Sequence, residues 1–168
     1  GSGDFASGTL DQINWSASYG SANTEFVQGS GHLYYRTKNA PDGEEERFLQ
    51  WGKNSMPYGQ DWTASGTVNV PNYNLSTETI LDQDDGGTLR AEGEFGLEVM
   101  NQDDPNDYAW VSLNYGRDTN GAVFRGFGSV FSTNDNESNA NQGTTATQAQ
   151  MRIRWVSSTR TLSLEANP

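Results

Sequence analysis

From Gly93 to Gly116 the chain alternates apolar and polar residues twice, with a turn between the two runs. Phe95, Leu97 and Val99 alternate with Glu94, Gly96 and Glu98, and Val111, Leu113 and Tyr115 alternate with Trp110, Ser112 and Asn114. A period of two is the geometry of a strand with one face on a core and the other on water or a ligand. The intervening Asp103-Asp104-Pro105-Asn106-Asp107 is turn chemistry, because Asp and Asn bond their own backbone and Pro fixes φ. A long hairpin with an acidic tip is therefore expected, and a helix is excluded.

The rest of the chain extends the pattern. Residues 26–37 read as a strand pair or a bulged strand bending at Gly29 and Gly31, with Leu33 and Tyr35 opposed to Tyr34 and Arg36. Pro41-Asp42-Gly43 marks a turn, after which Arg47 to Trp51 resumes a strand. Val68 and Val70 alternate until Pro71, which has no N–H to donate, ends the pairing. Residues 122–131 read as a strand bent at its glycines, and the polar stretch 132–148 reads as a long loop. Met151, Ile153 and Trp155 alternate with Arg152 and Arg154, and Leu162 and Leu164 answer across the turn at Ser157-Ser158-Thr159. About ten strands, long connections and no crossover helix predict an all-β fold, an antiparallel two-sheet β-sandwich formed by residues 1–168 as a single domain.

Composition narrows the function classes. Five Trp, seven Tyr and seven Phe supply the bulky side chains a core needs, at 33% hydrophobic content. A net charge of −12, from 22 acidic and 10 basic residues, argues against nucleic acid as a partner and suits divalent cations. No apolar run approaches the roughly 20 residues a membrane helix needs, so no membrane insertion is expected. The absence of Cys removes disulfides, thiolate metal sites and thiol nucleophiles. The opening Gly-Ser-Gly-Asp reads as a linker or processed end rather than a signal peptide, and a surface rich in Asn, Gln, Ser and Thr points to the extracellular space or cell surface.

The order Tyr58…Trp62…Ser65…Val68-Asn-Val-Pro71, Gly96-Leu97-Glu98-Val99, Asp107…Val111-Ser-Leu113 and Arg152-Ile153-Arg154-Trp155…Thr161-Leu162 resembles the concanavalin A-like lectin/glucanase (laminin G-like) jelly-roll superfamily. The resemblance covers most of the chain through loose strand patterns. It implies two curved sheets, a face or rim that meets glycans, and frequent calcium. Such domains usually add a strand after the last hairpin, whereas this sequence stops at Pro168. The resemblance thus implies a jelly roll that lacks its terminal strand or borrows it from the N-terminal segment or a neighbouring chain.

The glucanases of that superfamily carry Glu, Asp and Glu on one strand. Here Glu92, Glu94 and Glu98 share a face, but Gly96 interrupts them and the Asp is missing. The Gln-x-His and Tyr-Lys patterns of the related alginate lyases are also absent, and the lone His32 reads as an exposed or locally bonded imidazole. No catalytic residue is assigned. Glycans bind by stacking on flat rings and by bidentate bonds to hydroxyls. That chemistry selects Trp110, Asn114, Arg125, Arg152, Arg154, Tyr34 and Arg36 as ligand-binding candidates, on one face if their strands share a sheet. The alternative is a ladder of arginines paired with Glu94 and Glu98. Trp15, Trp62 and Trp155 read as core. Calcium takes six to eight oxygens, and Asp103, Asp104, Asn106 and Asp107 are its candidate ligands, with Asp82, Asp84 and Asp85 a second cluster and a solvated turn the alternative. Three Asn-x-Ser sequons, at Asn14, Asn74 and Asn136, are expected by chance in such a chain.

The expected function is a non-catalytic carbohydrate-binding or adhesion module of a secreted or cell-surface protein, with calcium as a candidate cofactor. Its expected partner is a polysaccharide or cell-surface glycan, with room for additional domains or neighbouring subunits. The alternatives are a diverged glycoside hydrolase or polysaccharide lyase using Glu94 and Glu98, and a structural adhesin or filament subunit completed by a neighbour's strand.

Overall fold

A computed structural model describes residues 19–20, 22, 24–37, 47–48, 56–72, 81–82, 88–89, 91–117, 122–134 and 136–168. Among them every regular element is an antiparallel strand. The chain forms two compact units, Gly1–Ser55 and Met56–Pro168.

In the first unit, β1 (Tyr19–Gly20) pairs with β4 (Arg47–Phe48), and β2 (Thr24–Gly29) pairs with β3 (His32–Thr37). The stretch read as a strand pair or a bulged strand is a strand pair. Its two-residue turn is Ser30-Gly31, at φ 52° and 78°, the double positive φ that matches strand twist in a tight hairpin. Phe26 and Tyr35 meet edge to face at 6.2 Å across the pair. His32 is exposed, and its Nδ1 lies 2.8 Å from the Ser30 carbonyl, so the imidazole is locally bonded as expected.

The second unit contains β5 (Trp62–Asn69), β6 (Leu81–Asp82), β7 (Thr88–Leu89), β8 (Ala91–Met100), β9 (Tyr108–Arg117), β10 (Val123–Thr133), β11 (Asn136–Gly143), β12 (Gln148–Val156) and β13 (Thr161–Asn167). Its described strands form three separate sheets: the meander β11-β10-β9-β8, the triple β13-β12-β5, and the ribbon β6-β7. The clean two-sheet arrangement expected from the sequence is corrected to this extent. The expected central hairpin is β8–β9, in register from Ala91↔Arg117 to Met100↔Tyr108. The polar stretch read as a loop is in large part β11, paired with β10 from Gly126↔Gly143 to Thr133↔Asn136. Strand β11 is exposed throughout, so it buries no apolar face and leaves no alternation to read.

The core lies between the meander and the triple. Val111, Leu113 and Tyr115 from β9 meet Ala149, Met151 and Ile153 from β12 and Val70 at the end of β5. Phe95, Leu97, Val99, Phe127, Trp62, Val68, Leu162 and Leu164 close around them. Leu113, Met151 and Ile153 are completely buried, at the centre of the two runs whose alternation is clearest. Close approach of β8 and β9 requires Gly96: a Cβ there would collide with the Val111 carbonyl and lie 2.8 Å from Ser112 Cα.

Candidate functional site

Strand pairing decides which of the candidate residues share a face, because directly opposed residues point the same way. On the outer face of the meander, Glu94 opposes Asn114, Gly96 opposes Ser112, and Glu98 opposes Trp110. Ser112 donates its hydroxyl to Asn114 Oδ1 at 2.6 Å, and Asn114 Nδ2 donates to Glu94 Oε1 at 2.9 Å. A Cβ on Gly128 would stand 2.8 Å from Ser112 Oγ and 3.1 Å from Asn114 Nδ2, so the glycine makes room for this relay. Asn114 is thus buried and already bonded on both ends of its amide, while Trp110 is half-buried between Glu98 and Val130. Beside it, Tyr108 donates its hydroxyl to Glu137 and ties β9 to β11. That bond to a carboxylate holds the phenol pKa above its ordinary value.

Arg125 does not share the outer face that carries Asn114 and Trp110. It opposes Tyr115 and shares the inward face of β10 with Phe127. Its guanidinium stacks on the Tyr115 ring at 4.4 Å and donates to the Val70 carbonyl at 2.7 Å and to Asn72 Oδ1 at 2.8 Å. A cation at the mouth of the core therefore ties the meander to the end of β5. Arg152 and Arg154 lie on the outer face of the triple, opposite Ser65 and Glu165 and opposite Thr63 and Ser163. Arg152 is paired with Glu165 at 2.5 and 2.9 Å, not with Glu94 or Glu98. Tyr34 is half-exposed on β3, tilted against His32, and the Arg36 side chain lies outside the described residues. The single aromatic and guanidinium face expected for Trp110, Arg125, Arg152 and Arg154 is not assembled, because β9 and β12 belong to different sheets.

The acidic tip is a closed turn. Asp107 N–H donates to the Asp104 carbonyl at 3.0 Å, Asn106 N–H to Asp104 Oδ1 at 3.1 Å, and Asn101 N–H to the Asp107 carbonyl at 2.8 Å. Asp107 accepts from Asn134 N–H at 3.0 Å on one carboxylate oxygen and from Asn101 Nδ2 at 3.3 Å on the other. Asp103 donates its N–H to Asn101 Oδ1 at 3.0 Å, and the Asn106 carbonyl accepts from Ser132 Oγ at 2.7 Å. Among the described residues no three Asp, Glu, His or Cys side chains gather closely enough to hold a metal. Asp84 and Asp85 of the second cluster, and the side chain of Asp82, lie outside the described residues.

A cleft that the sequence did not mark opens at the end of the triple. It has a volume of about 580 Å³ and is lined by Tyr58, Gly59, Trp155, Ser157, Ser158 and Arg160. Trp155 stands on the core phase of β12, opposite Trp62, but it lies beyond the buried cluster and the indole is only half-buried. Tyr58 meets it edge to face at 5.5 Å and 80° while remaining 69% exposed. The indole N–H donates to the Tyr58 carbonyl at 3.0 Å, fixing the segment before β5 against the β12–β13 turn. Asp61 Oδ1 completes the junction by accepting Ser157 N–H at 2.8 Å and Ser157 Oγ at 2.7 Å. Those hydrogen bonds, with the charge of Arg154, hold the Asp61 carboxyl below its ordinary pKa. The available signal was an aromatic at the last step of an alternation, directly before a polar turn ending in Arg.

This arrangement can bind. Two rings at a right angle offer an apolar surface, serine hydroxyls supply hydrogen bonds, and a guanidinium supplies a planar fork of donors. Comparison of the chain with protein-family models, with curated proteins and with solved structures gave no match.

Proposed function

We propose that the chain is a non-catalytic carbohydrate-binding module, displayed extracellularly or on a cell surface, whose binding site is the Tyr58–Trp155 cleft. The observation that carries the reading is the largely exposed Tyr58 ring held edge-on to Trp155 with Arg160 and two serines around it. A sugar ring presents C–H faces and hydroxyl edges, which match aromatic faces and a polar rim. The scaffold proposed with it is a concanavalin A-like jelly roll, supported by the return of β12 to the side of β5 far back in the chain.

A hydrolytic reading is less well served. Glu94 Oε1 is already bonded to Asn114 Nδ2 at 2.9 Å, and Gly96 stands between Glu94 and Glu98 where the glucanases carry an Asp. Affinity electrophoresis in gels containing neutral and charged polysaccharides tests the proposal, with Tyr58→Ala as the control. Retention on at least one polysaccharide, lost in Tyr58→Ala, is expected. Mobility unchanged on every polysaccharide, with and without calcium, removes the carbohydrate reading.

The subunit reading draws on one observation. Strand β11 is an exposed edge paired only to β10 among the described residues, and such an edge accepts a neighbour's strand. Monomers alone at high concentration in size-exclusion chromatography would remove it.

A further inference from the structure

We infer that the ligand of the Tyr58–Trp155 cleft is an anionic glycan, whose carboxylate or sulfate is held by Arg160. This rests on the carbohydrate reading above and adds the chemical class of the sugar.

Three observations support it. First, Arg160 lines the cleft and has no carboxylate partner among the described residues, whereas Arg152 is paired with Glu165. On a chain with 22 acidic and 10 basic residues, a guanidinium with no carboxylate partner among the described residues, beside the exposed Tyr58 ring, is positioned to receive an oxyanion. Second, the nearby acid is already committed. Asp61 accepts two hydrogen bonds from Ser157 and lies in the field of Arg154, so its charge is balanced without Arg160. Third, Arg160 sits at φ 52°, the left-handed conformation, at the last position of the Ser157–Arg160 turn. That position favours Gly or Asn, because a Cβ is penalised there. Arginine is thus not the residue that best suits this turn, and what it adds is a side chain delivered to the cleft.

The indole donor is spent on the Tyr58 carbonyl, so the aromatic pair contributes rings and Arg160 contributes the charge. Guanidinium pairs oxyanions through two parallel hydrogen bonds, stronger than the single bonds a neutral hydroxyl accepts. The net charge of −12 repels polyanions at long range, so binding one requires a local site.

The test is calorimetric titration of the full chain with polygalacturonate and with the same polymer fully methyl-esterified, which removes the charge and keeps the backbone. Dextran sulfate and dextran form the second matched pair. Binding at least about tenfold tighter to the charged member of one pair is expected, as one charge-assisted hydrogen bond provides. The pair that discriminates identifies carboxylate or sulfate. Arg160→Gln should equalise the two members, Arg160→Lys should retain part of the difference, and Tyr58→Ala should weaken both. Arg160→Gly suits the turn and keeps the fold if the glutamine variant does not. Equal affinity for charged and uncharged members overturns the anionic inference while leaving the carbohydrate reading intact. The same holds for a charge preference unchanged in Arg160→Gln. Absence of binding to all four polymers and to a neutral glucan panel overturns both.

Discussion

Removing Arg125 should unfold the second unit more readily without touching the cleft. The guanidinium at 4.4 Å over Tyr115 contributes about 1 kcal/mol as a half-buried cation–π contact. Its bond to the Val70 carbonyl contributes about 2 kcal/mol, since the donor is charged and Val70 is 2% exposed. The bond to exposed Asn72 adds little. Arg125→Ala should therefore cost about 3 kcal/mol, which for a chain of this size lowers the melting temperature by about 6–12 °C. Arg125→Lys keeps a cation near the ring but loses the fork that reaches both acceptors, so it should lose roughly half as much. In a cycle with Tyr115→Leu, the coupling should be about 1 kcal/mol. Urea denaturation followed by tryptophan fluorescence measures all three, with polysaccharide binding measured beside it. Arg125→Ala within about 0.5 kcal/mol of the parent would refute the inter-sheet tie. Loss of glycan binding at unchanged stability would return Arg125 to the ligand site.

Gly96→Ala should cost about 2 kcal/mol or more, because the backbone of Val111 and Ser112 cannot rotate away from the added methyl; Gly143→Ala, with open space around it, is the near-neutral control in the same urea titration. Asp61 has a depressed folded pKa, so the stability it contributes is present above the unfolded carboxyl value near 3.9 and is lost as pH falls through the folded value. The acid limb of the stability–pH curve should therefore flatten in Asp61→Asn and in Ser157→Ala, and an unchanged limb would separate Ser157 from Asp61. Calcium assistance, proposed at Asp103, Asp104, Asn106 and Asp107, requires a melting temperature several degrees higher in millimolar calcium than in EDTA, as a hundredfold excess over Kd stabilises by about 2.7 kcal/mol. Asp104→Asn should abolish the rise, and identical melts would leave the tip as the hydrogen-bonded turn described above.

Where an apolar face had to be buried, the strands were legible in advance. Phe95, Leu97 and Val99 against Val111, Leu113 and Tyr115 predicted both arms of the β8–β9 hairpin, and all six reach the core. Met151 and Ile153 did the same for β12, and Pro71 follows directly on the residue whose N–H makes the last bond, from Val70 to the Thr147 carbonyl. Strand β11 was not legible, since its pairing to β10 uses backbone groups that every residue carries. Trp15, read as core, lies outside the described residues.

The candidate site divides along the same line. Residue chemistry selected arginines and aromatics, but alternation is a property of one strand, whereas a face is a property of several. The pairing Arg125↔Tyr115 turned Arg125 inward, and the pairing of β12 with β5 placed Arg152 and Arg154 in a different sheet from Trp110. Trp155 follows the core phase faithfully, yet it stands beyond the buried cluster, so the same alternation that buries Ile153 leaves the indole lining a cleft. The sequence by itself determined the strands that bury an apolar face, the apolar residues those strands turn inward and the acidic turn, because these depend on neighbours within a few residues. Which strands adjoin, and so where Tyr58, Trp155 and Arg160 meet, depends on contacts about a hundred residues apart, which only the tertiary structure decided.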